Sequence, residues 1–299
     1  MERSLRSLLE QTLDDIEFIL VDDRSQDSAY DIAMSIIAEK RYSHLKDNIK
    51  VIRHQENKGV PAVRRTGWEV STGDYIYQFD SDDWMDRDML RKLWEKAVEG
   101  DYDIVECNYL DTDGKGNYRD RYHRAQYKPY EDWIKWPSCS CVYNKIVRRS
   151  VYQNEIIWPT HPYLEDYVLM SQLYYYSRAT FYLDEVLYYY YQNPSGIMCS
   201  IDKRRKVKGL KEQLAILETF MRSKGLYEKY RTGLDVFKSE AMEDAWNLPH
   251  KEFLEVFPKD RFRILTCRCI PLRTRLGHLT KLLGIHGINK LFCIIAIFV

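Results

Sequence analysis

The stretch Phe79-Asp80-Ser81-Asp82-Asp83-Trp84 decides how the rest of the sequence is interpreted. It follows directly on the apolar and aromatic residues 75–79, which are typical of a β-strand. Carboxylates this close together repel one another and resist desolvation, so at a strand end they need a counter-charge. Mg²⁺ or Mn²⁺ meets that need, because these hard cations prefer oxygen ligands and bridge carboxylates to substrate phosphates. The alternative is a solvated acidic turn that caps the next helix.

Length and composition exclude several classes of protein. A chain of 299 residues suffices for one full domain plus an appendage. Its 45 Lys and Arg balance its 45 Asp and Glu, so charge indicates no nucleic-acid partner. The seven cysteines form no Cys-x-x-Cys pair, which favours reduced thiols in a cytosolic protein over a zinc site. The opening residues do not resemble a signal peptide, and the longest apolar run, residues 291–299, falls short of the roughly 20 residues of a membrane-spanning helix.

Strand-like and helix-like stretches alternate on both sides of the acidic cluster. Strands are predicted at residues 16–21, 49–54 and 75–79, and helices at residues 29–37 and from about residue 61. This alternation predicts an open, mostly parallel α/β sheet flanked by helices, and ligands of such sheets bind beyond the carboxyl ends of the strands. Three polar clusters fall there: Asp22 with Asp23, Asn57 with Gly59, and Asp80 with Asp82.

Short motifs occur in a fixed order between about residues 4 and 198. They are Ser7–Thr12, Val21–Asp23 with Ser25 and Asp27, Asn57 with Gly59, Arg64 with Gly67, Gly73–Ile76, Asp80–Asp83, Glu165-Asp166, and Leu187–Tyr190 with Ser195. Each is weak alone, but their order and spacing together resemble a family 2 glycosyltransferase of the GT-A fold. The resemblance implies a GT-A domain over residues 1–200 and a helical C-terminal region over residues 201–299.

The resemblance also implies a role for each of five side chains. Asp23 would accept the imide N–H of a uracil-type base, Arg64 would lie near the nucleotide phosphates, Asp80 would hold the ribose or a metal-bound water, Asp82 would bind Mg²⁺ or Mn²⁺, and Asp166 would be the general base. Structural alternatives are an Asx turn for Asp23, a solvated helix-face charge for Arg64 and acidic charge in a first helical turn for Asp166.

The neighbours of these residues are expected to be structural. Asp22 and Asp27 would form turns or caps, Arg65 would be solvated, Asp83 would support the loop or begin the next helix, Glu165 would contact acceptor or scaffold, and His54 and His161 would be structural.

The implied activity is a metal-dependent, inverting transfer of one sugar from a nucleotide-diphosphate donor, with UDP as the expected nucleotide. The acceptor would be a growing surface glycan or its lipid-linked precursor, and the protein would be cytoplasmic and peripheral at the inner face of the membrane. The Arg-Trp acceptor motif of processive polysaccharide synthases is not apparent, which favours single-sugar transfer. The alternative is a truncated, catalytically inert nucleotide-binding relative. A phosphoryl-transfer enzyme would need a Gly-rich phosphate loop, and the sequence shows none.

The beginning of the sequence departs from the family pattern. Family members open with an apolar strand before the helix that starts here near Ser4, and that strand is central to the family fold. We therefore expect two neighbouring strands to expose unpaired N–H and C=O groups, each of which is costly when buried. The hypothesis is that the native start lies upstream, or that the gene is truncated.

Two further regions carry predictions of their own. The aromatic stretch 119–160, with Trp133, Trp136, Tyr143, Tyr152 and Trp158, would be core or would line a sugar-sized cleft. Beyond Pro258, arginines and lysines alternate with Leu, Ile and Phe. Such a basic and apolar segment can lie on an anionic membrane surface, and the alternative is a helical flap or a subunit contact.

Overall fold

The computed structural model describes residues 1–115, 118–123, 140–194, 196 and 201–284, without the side chains of 118–123. These residues form two compact units, the first drawn from residues up to 196 and the second from residues 201–284. The first unit contains strands and helices, whereas the described part of the second is helical.

The strands of the first unit are β1 (Phe18–Asp22), β2 (Ile49–Arg53), β3 (Tyr75–Tyr77), β4 (Trp84–Met85), β5 (Ile104–Thr112), β6 (Tyr118–His123), β7 (Lys145–Arg148) and β8 (Thr180–Tyr191). Its helices are α1 (Glu2–Leu9), α2 (Ala29–Ile37), α3 (Val60–Val70), α4 (Met89–Glu99), α5 (Arg149–Tyr152) and α6 (Glu165–Tyr176), with a 3₁₀ segment at Lys40–Asn48.

The described strands form two sheets. β1 and β2 pair in parallel as a separate two-stranded sheet. The second sheet has the order β3-β7-β5-β8-β4, with β6 added to β5. The predicted α/β class is confirmed, but parallel pairing within the described residues is limited to β1–β2 and β5–β8. β5 and β6 form a hairpin, and a short turn can join only antiparallel strands.

The main core of the first unit lies between β5 and α4. Ile104 and Val105 are fully buried, as expected for a strand covered on both faces. On α4, Met89, Leu93 and Ala97 recur at four-residue spacing and are fully buried, so they form the apolar stripe predicted from the sequence.

The start of α3 is fixed by two special residues. Gly59, the N-cap, has φ +83°, a left-handed conformation that a side chain disfavours. Pro61 lies in the first turn, where its missing N–H costs nothing. Gly59 and Pro61 thus fix where α3 begins, and Arg64 lies one turn further along this helix.

A cavity of about 1120 Å³ runs between β1 and β3. Among the described strands, β1 pairs with β2 alone and β3 with β7 alone, so each has one unpaired edge. Residues of both strands line the cavity, together with apolar side chains of α1 and α3 such as Leu5, Leu8 and Val63. The sequence leads us to expect unpaired strand edges beside β1, and the structure has them.

The described aromatic residues of 119–160 pack against other rings. Tyr143 stacks on Tyr188 at 4.6 Å between ring centroids, and Tyr152 stacks on Trp158 at 6.2 Å. Tyr143 and Tyr152 are both buried, so these two side chains belong to the core. Trp133 and Trp136 lie outside the described residues.

The second unit is built on two long helices. Its helices are α7 (Lys203–Ser223), α8 (Tyr227–Asp244), α9 (His250–Phe253), α10 (Arg261–Thr266) and α11 (Leu272–Leu282). Leu210, Leu214 and Leu217 of α7 are buried at helical spacing. Throughout the part of the chain that the structure describes, every helix is too short or too polar to cross a bilayer. The apolar run 291–299 lies outside it.

Candidate active site

One arginine holds three carboxylates together at the ends of the strands. The Arg64 Nη2 atom lies 2.9 Å from Asp80 Oδ1, 3.4 Å from Glu165 Oε1 and 3.5 Å from Asp166 Oδ1. The Arg64 side chain is only 8% exposed, so these ion pairs are largely shielded from water. The structure thus brings together three of the residues that the sequence assigns to the site: Arg64, Asp80 and Asp166.

The elements that carry these side chains and the backbone conformation beside them determine where they lie. Asp80 follows β3, and Glu165 and Asp166 occupy the first turn of α6. Leu164, the N-cap of α6, has φ +61°, and Arg24, directly after Asp23, has φ +64°. Positive φ is unfavourable for residues with a side chain and persists where the surroundings enforce it, commonly at functional sites. Two of the four non-glycine residues with positive φ in the described chain therefore adjoin predicted site residues.

Burial and an excess of negative charge shift the pKa values of Arg64, Asp80 and Glu165. Burial disfavours the Arg64 charge, but Asp80, Asp166 and Glu165 outweigh it and raise the pKa of Arg64. Burial also raises the pKa of Asp80, with repulsion from Asp166 and Asp82 adding to it and Arg64 opposing it. The pKa of Glu165 is raised well above its ordinary value by burial and by the neighbouring Asp166. One cation does not neutralise three carboxylates, of which Glu165 is buried and Asp80 and Asp166 are partly buried.

Asp23 follows β1, and its carboxylate is hydrogen-bonded to the loop that precedes α3. Its Oδ1 accepts from Lys58 N at 2.9 Å and lies 2.7 Å from His54 Nδ1, while Oδ2 accepts from Gly59 N at 2.7 Å. Burial raises the pKa of Asp23, but these hydrogen bonds more than compensate and lower it below the ordinary value. A carboxylate has about four acceptor positions, so one on Oδ2 is left for a further donor.

Residues at and just after the end of β8 form hydrogen bonds with the adjacent carboxylates of Asp82 and Asp83. The Asp83 carboxylate is fully buried and accepts from Tyr188 Oη at 2.6 Å and from Tyr191 N at 2.7 Å. Burial raises the pKa of Asp83 to about 8, although both hydrogen bonds oppose that shift. Beside it, Asp82 Oδ2 accepts from Asn193 Nδ2 at 3.0 Å. Asp83 therefore supports the loop while the partly exposed Asp82 faces Asn193.

The large cavity reaches some of these residues and not others. Asp23, Arg64 and Asp80 line it at the carboxyl ends of β1 and β3. Asp82 and Asp166 are not part of its lining, and Asp166 joins the group through Arg64. Arg64, Asp80 and Asp166 thus form one cluster, Asp23 shares the cavity lining with two of them, and Asp82 bonds Asn193 instead.

The carboxylates of the site meet only part of the needs of a divalent cation. Within the described residues, no group of three or more His, Cys, Asp or Glu side chains is arranged to hold a metal ion. Mg²⁺, however, is usually held by one or two carboxylates together with substrate phosphates. Asp82 can supply such a carboxylate, so the residues fit a metal that arrives with a diphosphate and do not fit an all-protein metal site.

Sequence reasoning missed two contacts of the site. Asn193, which no motif singles out, donates to Asp82 across a separation of 111 residues. His54 has no motif support, yet it bridges Asp23 and Thr66, with 3.0 Å between Nε2 and Thr66 Oγ1. The structural role expected for His54 agrees with these contacts. No local pattern in the sequence identifies either partner.

The model of the Glycosyl transferase family 2 matches residues 1–156, and the chain belongs to that family. The GT-A fold predicted from the sequence, with helices following it, is confirmed, and membership makes the protein a glycosyltransferase.

Similar proteins span most of the chain. The "Putative glycosyltransferase EpsH" of Bacillus subtilis is 33% identical over 247 residues, which cover 78% of this chain and 68% of that protein. "Glycosyltransferase GlyG" of Streptococcus pneumoniae is 28% identical over 77% of this chain and 76% of its own. The crystal structure of S. aureus TarS 1–349 in complex with UDP-GlcNAc superimposes with a TM-score of 0.59 at 17% identity, covering 94% of this chain and 87% of that one. At 17% identity, the likeness to TarS shows the fold alone.

Proposed function

We propose that the protein transfers one sugar, with inversion, from a UDP-linked donor to a saccharide or lipid-linked saccharide of a surface polysaccharide. The observation that carries this proposal is the Arg64 cluster, which joins Asp80 at a strand end to Asp166 at a helix start. Binding of UDP-GlcNAc by TarS, a protein of the same fold, supports the choice of donor class.

Asp166 serves as the general base. Its Oδ1 atom is buried without a hydrogen-bond partner, so it can accept a proton from an acceptor hydroxyl. Arg64, whose Nη2 atom lies 3.5 Å from this oxygen, positions the carboxylate. Attack by that hydroxyl on the anomeric carbon passes through an oxocarbenium-like transition state, and a single displacement inverts the centre.

The donor is held by the residues that line the cavity. The unused acceptor position of Asp23 Oδ2 receives the imide N–H of uracil, and Asp80 accepts from the ribose. Arg64 contributes fixed positive charge next to the diphosphate. Asp82 would hold Mg²⁺ or Mn²⁺ together with the donor phosphates, and the bound cation would supply positive charge beside the diphosphate.

The test of this function is the variant Asp166→Asn. With Mn²⁺ present, UDP binding measured by titration calorimetry should stay within about threefold of the parent. Donor hydrolysis and sugar transfer should fall about 10²- to 10⁴-fold, the range that general-base catalysis contributes. Asp31→Asn, on the exposed face of α2, is the matched control and should keep full activity. Removing the metal with EDTA should abolish transfer.

Two outcomes contradict this function in different ways. If the parent binds UDP but neither hydrolyses nor transfers the donor sugar, the protein is the inert nucleotide-binding relative. If UDP does not bind in the presence of Mn²⁺, the site is not a donor site.

We also propose that the second unit lies on an anionic membrane surface. Leu272 and Leu279 lie seven residues apart on one face of α11, Leu283 follows as its C-cap, and the three are 62%, 41% and 64% exposed. Phe262 of α10 is 78% exposed, and Arg268 and Arg273 are exposed in the same segment. Exposed apolar side chains beside basic ones are what binding to anionic lipid requires.

Sedimentation with vesicles tests the membrane proposal. The parent should sediment with phosphatidylglycerol vesicles and far less with phosphatidylcholine vesicles, and salt should weaken binding. Replacing Leu272, Leu279 and Leu283 with Ser should reduce binding at least about tenfold, since each buried apolar side chain contributes roughly 1.5–3 kcal/mol. Replacing the exposed Met34 and Val51 of the first unit with Ser is the matched control. Equal sedimentation of all variants would contradict the proposal.

A further inference from the structure

We propose that Asn193 is a positioning residue whose amide holds the Asp82 carboxylate so that it presents a single oxygen, Oδ1, to a small divalent cation such as Mg²⁺ or Mn²⁺. The inference rests on the metal role of Asp82 in the proposed function and adds to it a residue that no motif singles out. It also assigns to this residue the preference for small cations over Ca²⁺.

The hydrogen bond between the two residues uses one oxygen of Asp82. Asn193 Nδ2 donates to Asp82 Oδ2 at 3.0 Å, which lies in the ordinary range of an N–H···O bond. Within the described part of the chain, the other oxygen, Oδ1, accepts no hydrogen bond. Asp82 is partly exposed, so a cation can reach its carboxylate from solvent. Oδ1 is therefore the oxygen left to bind it.

The fold holds both ends of this bond. Asp83, which follows Asp82, is fully buried and accepts from Tyr191 N at 2.7 Å. Asn193 N donates to Tyr191 O at 2.8 Å, and Gly196 N donates to Asn193 O at 3.0 Å. These backbone bonds do not involve the Asn193 side chain. The turn after β8 therefore places the amide, and the amide in turn places the carboxylate.

The Asp82 carboxylate needs such a partner because its neighbours repel it. Burial raises the pKa of Asp80 and of Asp83, and the charge of Asp82 adds to both shifts. The same repulsion acts on Asp82 itself. A partly exposed carboxylate without a partner would turn away from these neighbours toward solvent. The Asn193 amide holds it beside them, where the strand ends meet.

The donor to Asp82 is neutral, whereas the donor to Asp80 is charged. Arg64 pairs with Asp80 at 2.9 Å and offsets its negative charge. Among the described residues, no Lys or Arg forms an ion pair with Asp82. A neutral amide fixes a carboxylate without cancelling the charge that attracts a divalent cation. Carboxylates that bind metals are commonly oriented by hydrogen bonds of this kind.

The bond to Oδ2 also bears on which cation fits. Ca²⁺ takes about six to eight oxygen ligands and accepts carboxylates through one or both oxygens. Mg²⁺ requires near-octahedral geometry and keeps several of its waters, and Mn²⁺ shares octahedral oxygen coordination. A carboxylate with one oxygen bonded to an amide favours binding through the other oxygen alone. The pair of Asn193 and Asp82 therefore favours Mg²⁺ or Mn²⁺ over Ca²⁺.

Metal binding to Asn193→Ala tests the proposal. Mn²⁺ binding at saturating UDP is measured by electron paramagnetic resonance of the free ion, with UDP alone as the blank. The variant should bind Mn²⁺ at least about tenfold more weakly than the parent, the effect typical of losing a hydrogen bond to a metal ligand. Ca²⁺ binding, measured by competition with Mn²⁺, should weaken by less than about threefold, because the freed oxygen can now join in.

Three comparisons separate this role from a purely structural one. UDP binding in EDTA should be equal in Asn193→Ala and the parent, since only the metal-dependent part changes. Asn193→Leu, which has a similar shape and no donor, should behave like Asn193→Ala. Asn154→Ala, the matched control, removes an exposed amide that donates at 3.0 Å to Ser150 O and Val151 O, and it should bind Mn²⁺ like the parent. The Tm of each variant should stay within about 4 °C of the parent.

Equal Mn²⁺ affinity of Asn193→Ala and the parent would overturn the inference and leave the proposed function standing. Parental Mn²⁺ affinity in Asn193→Leu would also overturn it, since packing alone would then suffice. So would an equal loss for Mn²⁺ and Ca²⁺, or weaker UDP binding in EDTA, which would indicate a distorted donor site. Failure of the parent to bind Mn²⁺ with UDP would instead refute the metal role of Asp82, and this inference with it.

Discussion

Each unit of the molecule buries a cation among carboxylates, but the two clusters are built differently. Among the described residues of the first unit, Arg64 is the one cation that pairs with Asp80, Glu165 and Asp166. In the second, two cations face three carboxylates: Lys238 pairs with Glu218 and Asp260, and Arg263 pairs with Asp235 and Asp260.

The charge balance of the two clusters has opposite consequences for titration. Burial lowers the pKa of Lys238, yet its bonds to Asp260 and Glu218 outweigh that and raise it, so its charge is secured. Around Arg64 the pKa values of Asp80 and Glu165 are raised, and Asp166 Oδ1 has no hydrogen bond. A cluster that only stabilises a fold satisfies its members, whereas one that must accept a ligand or a proton leaves some unsatisfied.

Arg64→Met should have the largest effect. Removing the only described cation that bonds these three carboxylates leaves buried charges uncompensated, which costs about 3–5 kcal/mol of unfolding free energy. Transfer should also fall more than about 100-fold. Urea unfolding and a donor-turnover assay measure the two effects. Arg65→Met, which removes an exposed pair with Glu69, is the matched control and should change stability by no more than about 0.5 kcal/mol. Equal effects of the two variants would refute the functional reading of the cluster.

Lys238→Met should separate stability from activity. Its side chain is 3% exposed and bonds Asp260 Oδ2 at 2.7 Å, so its loss should cost about 3 kcal/mol of unfolding free energy. Turnover per folded molecule should stay within about twofold of the parent, measured at a temperature well below the Tm. A fall as large as that of Arg64→Met would mean that the second cluster also serves catalysis.

The sequence predicted one of these clusters and could not predict the other. Asp80 and Asp166 were identified because motif order fixes their place at strand and helix ends, and Arg64 because it lies one turn into α3. The contacts of Asn193 and His54 depend on tertiary packing across distant parts of the chain, which no local period encodes. Lys238 lies in α8 and Asp260 just before α10, neither within a motif, so only the folded structure brings them together.

The fold was predictable to a similar degree. Long periodic elements such as α4 and α7 agree with the sequence, because an apolar stripe at helical spacing has one good solution. The short strands β4 and β7 were missed, because two to four residues carry no period and form through pairing with distant strands. The antiparallel share of the second sheet was underestimated for the same reason.

His278 should make the second unit sensitive to acid. Trp246 Nε1 donates to His278 Nδ1 at 2.9 Å, and His278 Nε2 lies 2.9 Å from Ser239 Oγ, so the buried ring is neutral. Burial lowers its pKa to about 4, below the roughly 6.5 of an unfolded chain. Between these values the unfolded state binds more protons, so stability rises with pH, and about 3 kcal/mol is lost as pH falls from 6.5 to 4.

Denaturant titrations from pH 4 to pH 8 check this dependence. His278→Gln should flatten it, whereas His44→Gln, which removes an exposed histidine, should leave the slope unchanged. A slope in His278→Gln equal to that of the parent would assign the acid sensitivity to other groups.

Glu165→Gln and Glu218→Gln should have effects of opposite sign on stability at pH 7. Because burial and Asp166 raise the pKa of Glu165, its ionisation destabilises the folded state increasingly as pH rises above the ordinary value of about 4.3. Gln is neutral at every pH, so the Glu165 variant should match the parent near pH 4 and be slightly more stable at pH 7. Glu218→Gln removes a partner of the buried Lys238 and should cost about 1.5–3 kcal/mol at pH 7. Urea midpoints at the two pH values measure both effects. A loss of stability in both variants at pH 7 would show that Glu165 is as well compensated as Glu218. That outcome would contradict the difference drawn between the two clusters.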